Sequence, residues 1–359
     1  MERIGLLTAE DVGSSALEEI TRAGISYSRS VIVRLRNQDL VIVSVERKYV
    51  PALFSLRVVE DMFAILKEGV SVADPRKLHG LTSRGLRERT VEALPLSQRK
   101  RGKRGSTTFW VFVKQNEDEV VWRRSVAEQI VSFYESTFAR WTAREPAEVE
   151  VWAFLSNGRA SLGLRLTDSS FRQRRYKRDE RPGSLRPTLA AAVVLAAEVS
   201  KDEVVLDPMC GVGTLLLECG LSNPDARLIG GDRDRDALEL ARSNSERAQV
   251  SIDLNHWNAT DEGAFRSLDS QVSLILCNLP FGKQFGAKDD LMVLYRRAIQ
   301  RWRSLLRPDG RMVLLTARPQ LIHRVSEKMG LSVTNLSSFM VQGIRATVVR
   351  VERDGREWR

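Results

Sequence analysis

Apolar and polar positions follow a helix–strand rhythm from about residue 186 to the end of the chain. Thr188 to Val199 is Ala-rich and predicts a helix, and five short apolar runs after it predict strands. Those runs are DEVVLD, ARLIGGD, VSIDLNHW, VSLILCN and GRMVLLTA, and helix-compatible sequence separates the first four. Such alternation is typical of a parallel, doubly wound α/β sheet. The last two apolar runs, LSVTNLSSFM and GIRATVVRVE, have no helix between them, so we expect an antiparallel hairpin at the end of this sheet.

The first ninety residues predict a small α+β unit. Amphipathic spacing predicts helices, and β-branched apolar runs predict strands. The predicted elements are a helix over Ser14–Ala23, strands over Ser30–Leu35 and Leu40–Glu46, and a second helix over Leu56–Lys67. Gly102 and Gly105 interrupt regular structure after this unit.

A second N-terminal unit is predicted from a strand over Thr107–Gln115 and a long helix from about Trp122 to Trp141. Two further strands, Val149–Ser156 and Arg159–Thr167, flank Asn157-Gly158. Asn-Gly between alternating runs is a strong hairpin signal because both residues tolerate positive φ.

Length and composition limit the class of protein. The 359 residues exceed what one hydrophobic core normally organises, and 43% hydrophobic with 28% charged residues is typical of a globular chain. The three cysteines form no CxxC pair, so the sequence favours neither a disulfide framework nor a zinc site. No apolar run approaches the ~20 residues of a membrane span, and the first ten residues lack a hydrophobic signal core. We therefore expect a cytoplasmic protein that has no membrane segment and no bound metal.

The positive charge lies in two short segments. The chain has 56 basic and 46 acidic side chains, a net charge of +10. Arg84–Arg104 carries +6 and Arg172–Arg186 carries +5, so the remainder is nearly neutral. These segments are either solvated loops or surfaces for a polyanion, whose affinity would fall with added salt. Phe171 directly precedes the second segment and Tyr176 lies within it, and both rings could stack on bases or pack one domain against the next.

The first candidate site follows the predicted strand that ends at Asp207. The loop Asp207-Pro208-Met209-Cys210-Gly211-Val212-Gly213-Thr214 precedes a predicted helix, and its glycines allow close approach of the backbone to a ligand. Leu216 stands where a dinucleotide-binding fingerprint has its third glycine, and the lysine of a P-loop is absent. The pattern therefore disfavours a nicotinamide cofactor.

Polar side chains also follow the next two predicted strands. Asp232 can accept hydrogen bonds from both ribose hydroxyls of a nucleoside, or it can cap the helix that follows, in which case Asp234 or Asp236 takes the other role. Farther along, Asn258 or Asp261 offers an oxygen to an adenine edge.

The fourth predicted strand ends in Asn278-Leu279-Pro280-Phe281-Gly282. The Asn side-chain oxygen and a backbone carbonyl stiffened by Pro280 can accept hydrogen bonds from a planar amino group, while Phe281 stacks on its ring. Such a clamp orients a nitrogen lone pair toward a methyl donor through positioning and electrostatics rather than a strong base. A simple turn after a buried strand is the alternative.

Residues 186–352 resemble a class I S-adenosylmethionine-dependent methyltransferase, and Asn278–Phe281 resembles its amino-methylating motif, (Asn/Asp)-Pro-Pro-(Tyr/Phe). The segments DPMCGVGT, NLPFGKQFG, LGLRLTDSSFRQRRYK and RPGSLRPTLAAAVVLAA, with Leu56-Arg57, resemble RNA methyltransferases that carry ferredoxin-like and THUMP domains. The resemblance implies a ferredoxin-like domain over 1–90, a THUMP RNA-binding domain over 91–178 and a Rossmann-like methyltransferase domain over 179–359. It also implies a seven-stranded, mostly parallel sheet with an antiparallel C-terminal hairpin.

The resemblance further implies roles for single residues. Asp207, Cys210, Gly211, Gly213 and Thr214 would line the methionine end of S-adenosylmethionine, Asp232 its ribose, and Asn258 or Asp261 its adenine, while Asn278, Leu279, Pro280 and Phe281 would hold a guanine. Two positions depart from the family. Asn258 stands where Asp is usual, and Leu279 replaces the first proline, which we expect to loosen the clamp.

The resemblance implies an S-adenosylmethionine-dependent tRNA (guanine-N2-)-methyltransferase that binds the tRNA acceptor end. We expect a monomer, although the sequence itself leaves the oligomeric state open. The sequence leaves the need for an activating subunit open. The expected RNA-binding side chains are Arg101, Lys103, Arg104, Arg172, Arg174, Arg175, Lys177, Arg178 and Lys283.

Four alternatives stay open at the level of sequence. The same chemistry could act on ribosomal or another small RNA, on adenine N6 in nucleic acid, or on a glutamine amide in protein. The chain could also be a non-catalytic RNA-binding protein with a degenerate methyltransferase domain, although Gly211, Gly213, Asp232 and Asn278 argue against degeneration.

Overall fold

The structure is a computed structural model that describes residues 1–72, 74–83, 85–99, 106–115, 123–168, 170–178, 181, 183–261, 263–282 and 288–353. The chain divides into two compact units, Met1–Arg172 and Gln173–Arg359. Each unit is built around its own β-sheet.

Eight strands of the first unit form one sheet in the order β2-β3-β1-β4-β8-β7-β5-β6. The strands are β1 (Glu2–Ala9), β2 (Tyr27–Leu35), β3 (Gln38–Val45), β4 (Asp61–Ser71), β5 (Thr107–Gln115), β6 (Trp141–Ala143), β7 (Val149–Ser156) and β8 (Arg159–Arg165). Its α-helices are α1 (Gly13–Arg22), α2 (Val50–Leu53), α3 (Leu86–Ala93) and α4 (Arg123–Thr137). Strand β4 before residue 90 and strand β8 after it pair within this one sheet. The sheet therefore does not mark the domain boundary predicted at residue 90, which stays a prediction.

The predicted helix over Leu56–Lys67 is wrong, because most of that segment is strand β4. Residues 61–66 are all buried, so side chains on both faces of the strand are covered, and β4 lies in the interior of the sheet between β1 and β8. A central strand reads as a continuous apolar run, and periodicity alone does not separate such a run from a buried helix.

The predicted hairpin at Asn157-Gly158 is confirmed. The two residues have φ of 53° and 66°, the positive pair that a two-residue type I′ turn requires between β7 and β8. Strand β1 escaped prediction, although it pairs with β3 over its whole length and with β4 over half of it.

Seven strands of the second unit form the other sheet, in the order β11-β10-β9-β12-β13-β15-β14. They are β9 (Val204–Asp207), β10 (Arg227–Asp232), β11 (Asp253–His256), β12 (Val272–Asn278), β13 (Leu306–Thr316), β14 (Leu331–Val341) and β15 (Ile344–Arg353). The helices of this unit are α5 (Pro187–Ala197), α6 (Thr214–Ser222), α7 (Arg235–Ala248), α8 (Lys288–Leu305) and α9 (Pro319–Glu327).

Strands β9 to β13 run parallel, whereas β15 runs antiparallel to both β13 and β14. The predicted parallel sheet with a terminal antiparallel hairpin is therefore present. The chain leaves β9 toward β10 on one side, and β12 and β13 lie on the other, so the strand order switches between β9 and β12. Ligands of open α/β sheets bind at the carboxyl ends of the strands beside such a switch point.

No helix among the described residues is both long and apolar enough to cross a membrane. Within the same residues, no group of three or more His, Cys, Asp or Glu side chains is arranged to hold a metal ion.

Candidate active site

The loop after β9 turns back over the end of its own strand. The Oδ1 atom of Asp207 accepts a hydrogen bond from the Met209 N–H at 3.1 Å, and the Cys210 N–H donates to the Gly231 carbonyl at 2.9 Å. Gly211 and Gly213 adopt φ of 52° and 81°, which lie in the left-handed region that favours glycine. A Cβ on Gly211 would meet open space, so its backbone faces the cavity described below.

Burial dominates the electrostatics of this loop. Asp207 is 2% exposed, and desolvation raises the pKa of its carboxyl to about 7, although hydrogen bonds from the Met209 N–H and the Cys277 thiol oppose the rise. Asp232 nearby raises that pKa further. The site therefore contains a carboxyl that changes charge near neutral pH.

We expect Asp207→Asn to stabilise the ligand-free protein at high pH. Because the pKa of Asp207 is higher in the folded than in the unfolded chain, its contribution to stability is complete below pH 4 and is lost as pH rises through about 7. The free energy of unfolding of Asp207→Asn should therefore gain about 2–3 kcal/mol on the wild type between pH 5 and pH 8. Urea unfolding of both proteins at the two pH values measures this gain, and an unchanged difference would show that Asp207 is ionised throughout.

The two acidic residues after β10 have separate roles. Asp232 accepts from the Gly211 N–H at 2.8 Å and from the Asp234 N–H at 3.0 Å. Asp234 caps α7 by accepting from the N–H groups of Asp236 and Ala237, and it pairs with Arg181 at 2.6 Å. Capping by Asp234 leaves the spare lone pairs of Asp232 for a ligand, so the helix-cap interpretation of Asp232 is wrong.

Of the two candidates after β11, Asn258 lines the cavity, and Asp261 is not among the described residues that do. The Asn258 Oδ1 accepts from the N–H and the hydroxyl of Thr260, at 3.3 and 3.1 Å. These contacts fix the amide at the cavity wall. Asp261 is exposed, and its N–H donates to the Asn258 carbonyl at 3.1 Å.

Asn278 presents an unpartnered acceptor. It is the last residue of β12, and its Oδ1 is buried and accepts no hydrogen bond within the described part of the chain. Nearly all buried polar atoms in proteins have a partner, so an orphaned oxygen on a cavity wall indicates a position completed by a ligand.

Leu279 tethers the motif to β13. Its N–H donates to the Leu315 carbonyl at 2.9 Å, a bond that the usual proline could not make, and its side chain is 1% exposed within the core. A backbone hydrogen bond to β13 therefore holds this position, where the family has a proline ring, and whether the clamp is looser stays a prediction.

Sequence reasoning missed the support that α8 gives the motif. The Tyr295 hydroxyl donates to the Pro280 carbonyl at 2.9 Å and lies 3.3 Å from the Thr316 Oγ1. Burial raises the pKa of Tyr295, which keeps this hydroxyl protonated as a donor. Gly282 ends the motif with φ of 94°, and a Cβ there would lie 2.6 Å from the Leu291 Cδ1. The motif is thus held by hydrogen bonds at Leu279 and Pro280 and packs closely at Gly282.

A cavity of about 700 Å³ joins these segments at the carboxyl edge of the second sheet. The predicted residues that line it are Asp207, Cys210, Gly211, Thr214, Asp232, Asn258, Asn278, Leu279, Pro280 and Phe281. Gly213 lies behind the wall as the N-cap of α6. Sequence reasoning missed Arg181 and Ser184 before α5, and also Val341, Gln342 and Ile344 at the C-terminal hairpin.

The second basic segment is only partly free for a ligand. Arg172, Arg175 and Arg178 are exposed, whereas Arg174 is largely buried with its Nε 3.7 Å from an oxygen of Glu218, and Lys177 donates to the Leu185 carbonyl. Arg101, Lys103, Arg104 and Lys283 lie outside the described residues.

The two aromatic residues in or directly before that segment are engaged in packing. Tyr176 is buried and donates to the Glu218 Oε1 at 2.6 Å, and Phe171 meets Phe54 edge to face. Each ring is thus engaged within its own unit, and a role for either ring in base stacking stays a prediction.

Residues 174–347 match a family model described as UPF0020, RMKL-like, methyltransferase domain. The matched segment includes β9 to β14, the glycine loop and the Asn278 motif.

The chain is also similar to curated RNA methyltransferases. It is 35% identical over 169 residues to the tRNA (guanine(6)-N2)-methyltransferase of Thermus thermophilus, covering 46% of this chain and 49% of that protein. It is 32% identical over 188 residues to the mouse U6 snRNA (guanine-N(2))-methyltransferase THUMPD2, covering 51% and 33%. It is 29% identical over 191 residues to the ribosomal RNA large subunit methyltransferase K/L of Aliivibrio fischeri, covering 41% and 27%. The chain thus spans half or less of the length of each.

Solved structures match nearly the whole chain. TrmN from Thermus thermophilus superposes with a TM-score of 0.79 at 23% identity, over 99% of this chain and 100% of that one. The SMU.472 protein complexed with SAH gives 0.72 at 14% identity, over 98% of both chains. The protein therefore has a methyltransferase-like α/β fold.

Proposed function

We propose that this protein transfers a methyl group from S-adenosylmethionine to the exocyclic N2 of a guanosine in structured RNA, with tRNA as the substrate. The observation that carries the proposal is the buried Oδ1 of the cavity-lining residue Asn278, which accepts no hydrogen bond from any residue that the structure describes. An exocyclic amino group supplies such a hydrogen bond.

S-adenosylmethionine is the cofactor of the methyltransferase domain; when bound, it supplies an electrophilic methyl group. Support comes from the family match and from the SAH complex of a protein with the same fold. The residues present fit this molecule. Gly211 leaves room at the backbone, the buried Thr214 hydroxyl has no hydrogen-bond partner among the described residues, and Asp232 has acceptor capacity for ribose hydroxyls.

The chain's own residues position the amine. The Asn278 Oδ1 and the Leu279 carbonyl accept from its two N–H groups, which directs the nitrogen lone pair away from them. Both acceptors also stabilise the positive charge that develops on nitrogen, and neither needs to be a strong base. The bonds from Leu279 to β13 and from Tyr295 to Pro280 hold the acceptors in place before the substrate arrives.

The names of the relatives support RNA and guanine N2 as the target. Two of them are guanine-N2 methyltransferases, one for tRNA and one for U6 snRNA, and a third acts on ribosomal RNA. Ribosomal or small nuclear-type RNA is therefore the second candidate substrate.

We propose that two RNA-positioning modules precede the methyltransferase domain, a ferredoxin-like domain over residues 1–90 and a THUMP domain over 91–178 that binds the tRNA acceptor end. The strand order β2-β3-β1-β4 with helices between β1 and β2 and between β3 and β4 supports the ferredoxin-like assignment. We further propose that the protein acts as a cytoplasmic monomer, with which its three buried free thiols are compatible.

We expect the double variant Arg175→Gln, Arg178→Gln to bind RNA more weakly and with a flatter salt dependence. Both side chains are exposed, and each phosphate contact adds about one to the slope of log affinity against log salt. Filter binding of tRNA at several salt concentrations should show a slope reduced by about two.

The matched control replaces two exposed arginines elsewhere in the same unit, Arg242→Gln with Arg324→Gln. If both double variants show the same slope of log affinity against log salt, Arg175 and Arg178 belong to a solvated loop and do not contact RNA phosphates. Arg174→Gln is unsuitable for this test, because it removes the cation beside the buried Glu218 and so reports on folding.

Methyl incorporation tests the substrate class. The wild-type protein is incubated with labelled S-adenosylmethionine and, separately, with total tRNA, ribosomal RNA and a U6-type small RNA, each prepared without modification. The proposal expects label in tRNA. Label confined to ribosomal or small RNA would move the function to the second candidate, and label in none of them would contradict RNA methylation.

A further inference from the structure

The amine clamp cannot choose a base by itself. The Asn278 Oδ1 and the Leu279 carbonyl, which form the clamp, are both acceptors, and guanine N2, adenine N6 and cytosine N4 all present an amino group with two N–H donors. A side chain elsewhere on the cavity must therefore contact the remaining edge of the base.

The turn of the C-terminal hairpin brings one suitable side chain to the cavity. Thr347 of β15 pairs with Thr316, the last residue of β13, and three further pairs between β14 and β15 follow before the turn. At ~3.3 Å per residue the turn projects about 10 Å beyond the end of β13. Asn278 lies at this same carboxyl edge, because β12 and β13 are parallel and Asn278 pairs with Leu315.

Gln342 occupies the first position of this turn. Val341 pairs with Ile344, and the two residues between them, Gln342 and Gly343, have φ of 48° and 78°. A type I′ turn favours Asn, Asp or Gly at its first position, so Gln is a conformationally costly choice there. Strained backbone positions cluster at functional sites.

The Gln342 side chain is exposed, lines the cavity and has no hydrogen bond to any described residue. The other uncharged polar side chains on the described cavity wall differ in this respect. Ser184 and Thr214 each carry only a hydroxyl. The Asn258 Oδ1 already accepts a hydrogen bond from Thr260, and Asn278 is part of the proposed clamp. Gln342 is thus the lining amide outside the clamp whose donor and acceptor are both unengaged among the residues described.

We propose that Gln342 selects guanine by contacting the part of the base edge that the clamp leaves open. This inference rests on the proposed function. Guanine presents an N1–H donor and an O6 acceptor beside its amino group, and the Oε1 and Nε2 atoms of one planar amide match that pair. Adenine and cytosine present a bare acceptor nitrogen next to their amino groups, so the pairing is specific to guanine.

The test uses two RNA substrates that differ only at the methylated position. One carries the guanosine that the wild type modifies, and the other carries 2-aminopurine, which keeps the amino group but lacks O6 and the N1–H. Gln342→Ala should lower kcat/KM on the guanosine RNA about 10- to 100-fold, the range for a bidentate base contact, and should change kcat/KM on the 2-aminopurine RNA by less than about threefold.

Two further variants separate recognition from folding. Gln342→Asn places a favoured residue in the turn and so keeps the fold, but it shortens the reach of the amide, and it should lose guanosine preference as Gln342→Ala does. Gln320→Ala, an exposed glutamine on α9 outside this cavity, should behave as wild type.

Equal losses on both RNAs, or no loss on either, would overturn the role of Gln342 while leaving the proposed function standing. A wild-type protein that forms no N2-methylguanosine on any RNA would overturn the proposed function and this inference with it.

Discussion

Asn278→Ala is expected to lower kcat by about 100- to 1000-fold while the Kd for S-adenosylmethionine stays within a few-fold of wild type. The buried Oδ1 of Asn278 is the side-chain acceptor that the clamp offers to the amine, and it bears the charge that develops on nitrogen. Alanine removes this acceptor but leaves the Leu279 backbone bond to β13 intact. The loss should therefore fall on the chemical step rather than on cofactor binding.

Single-turnover methyl transfer to RNA and calorimetric titration with S-adenosylmethionine separate the two effects. Asn255→Ala, at the end of β11 and outside the described cavity wall, is the matched control and should retain full turnover. Asn278→Asp, which keeps an oxygen acceptor, should fall between alanine and wild type. Wild-type turnover by Asn278→Ala would contradict the clamp.

Asp232→Ala is expected to act on the cofactor first, with the Kd for S-adenosylmethionine raised about 10- to 100-fold. Asp232 accepts from the Gly211 and Asp234 N–H groups and has lone pairs left for the ribose hydroxyls. Hydrogen bonds to a charged group contribute about 1.5–3 kcal/mol each, which corresponds to this range of Kd.

Calorimetric titration with S-adenosylmethionine gives this Kd directly, and turnover at saturating cofactor should recover much of the wild-type rate. Asp236→Ala removes a neighbouring carboxylate that is not among the described cavity residues, and it should leave the Kd within about twofold. If Asp232→Ala bound the cofactor as tightly as wild type, the ribose role would have to move to another residue.

The second unit could be predicted from sequence in most respects, because its strands are short apolar runs that alternate with helices. Each of its seven strands overlaps a predicted run, including the terminal hairpin, although β13 begins four residues before its run. In the first unit, β4 was mistaken for a helix because a strand buried on both faces has no alternation to reveal it. Strand β1 is a similarly buried apolar run, and it has no turn residues before it that would mark it as a strand.

The strand ends of the site were also visible in the sequence, since glycines and single polar residues interrupt the apolar runs there. The sequence could not show which side chain accepts which hydrogen bond. Asp232 and Asp234 are two residues apart and chemically identical, and only the fold assigns the helix cap to Asp234. From the sequence, Leu279 suggests a weakened motif, whereas in the structure its N–H donates a hydrogen bond to β13.

Contacts between distant segments were hidden for a different reason. Tyr295 contacts the Pro280 carbonyl from helix α8, which follows the motif in the chain. Gln342 lies at the cavity because it is in the turn of a hairpin sixty residues after the motif. Neither residue lies in a recognisable pattern. The pairing of β13 with β15 brings the turn to the edge where Asn278 lies, and strand order is not encoded in local spacing.

The central claim is the identity of the methylated atom, and nucleoside mass spectrometry of the RNA product tests it most directly. Unmodified RNA is treated with S-adenosylmethionine and either wild-type protein or Asn278→Ala, digested to nucleosides and compared with standards for N2-methylguanosine, N6-methyladenosine and N4-methylcytidine. We predict N2-methylguanosine from the wild type and almost none from Asn278→Ala. Another methylated nucleoside in its place, or equal N2-methylguanosine from both proteins, would contradict the account.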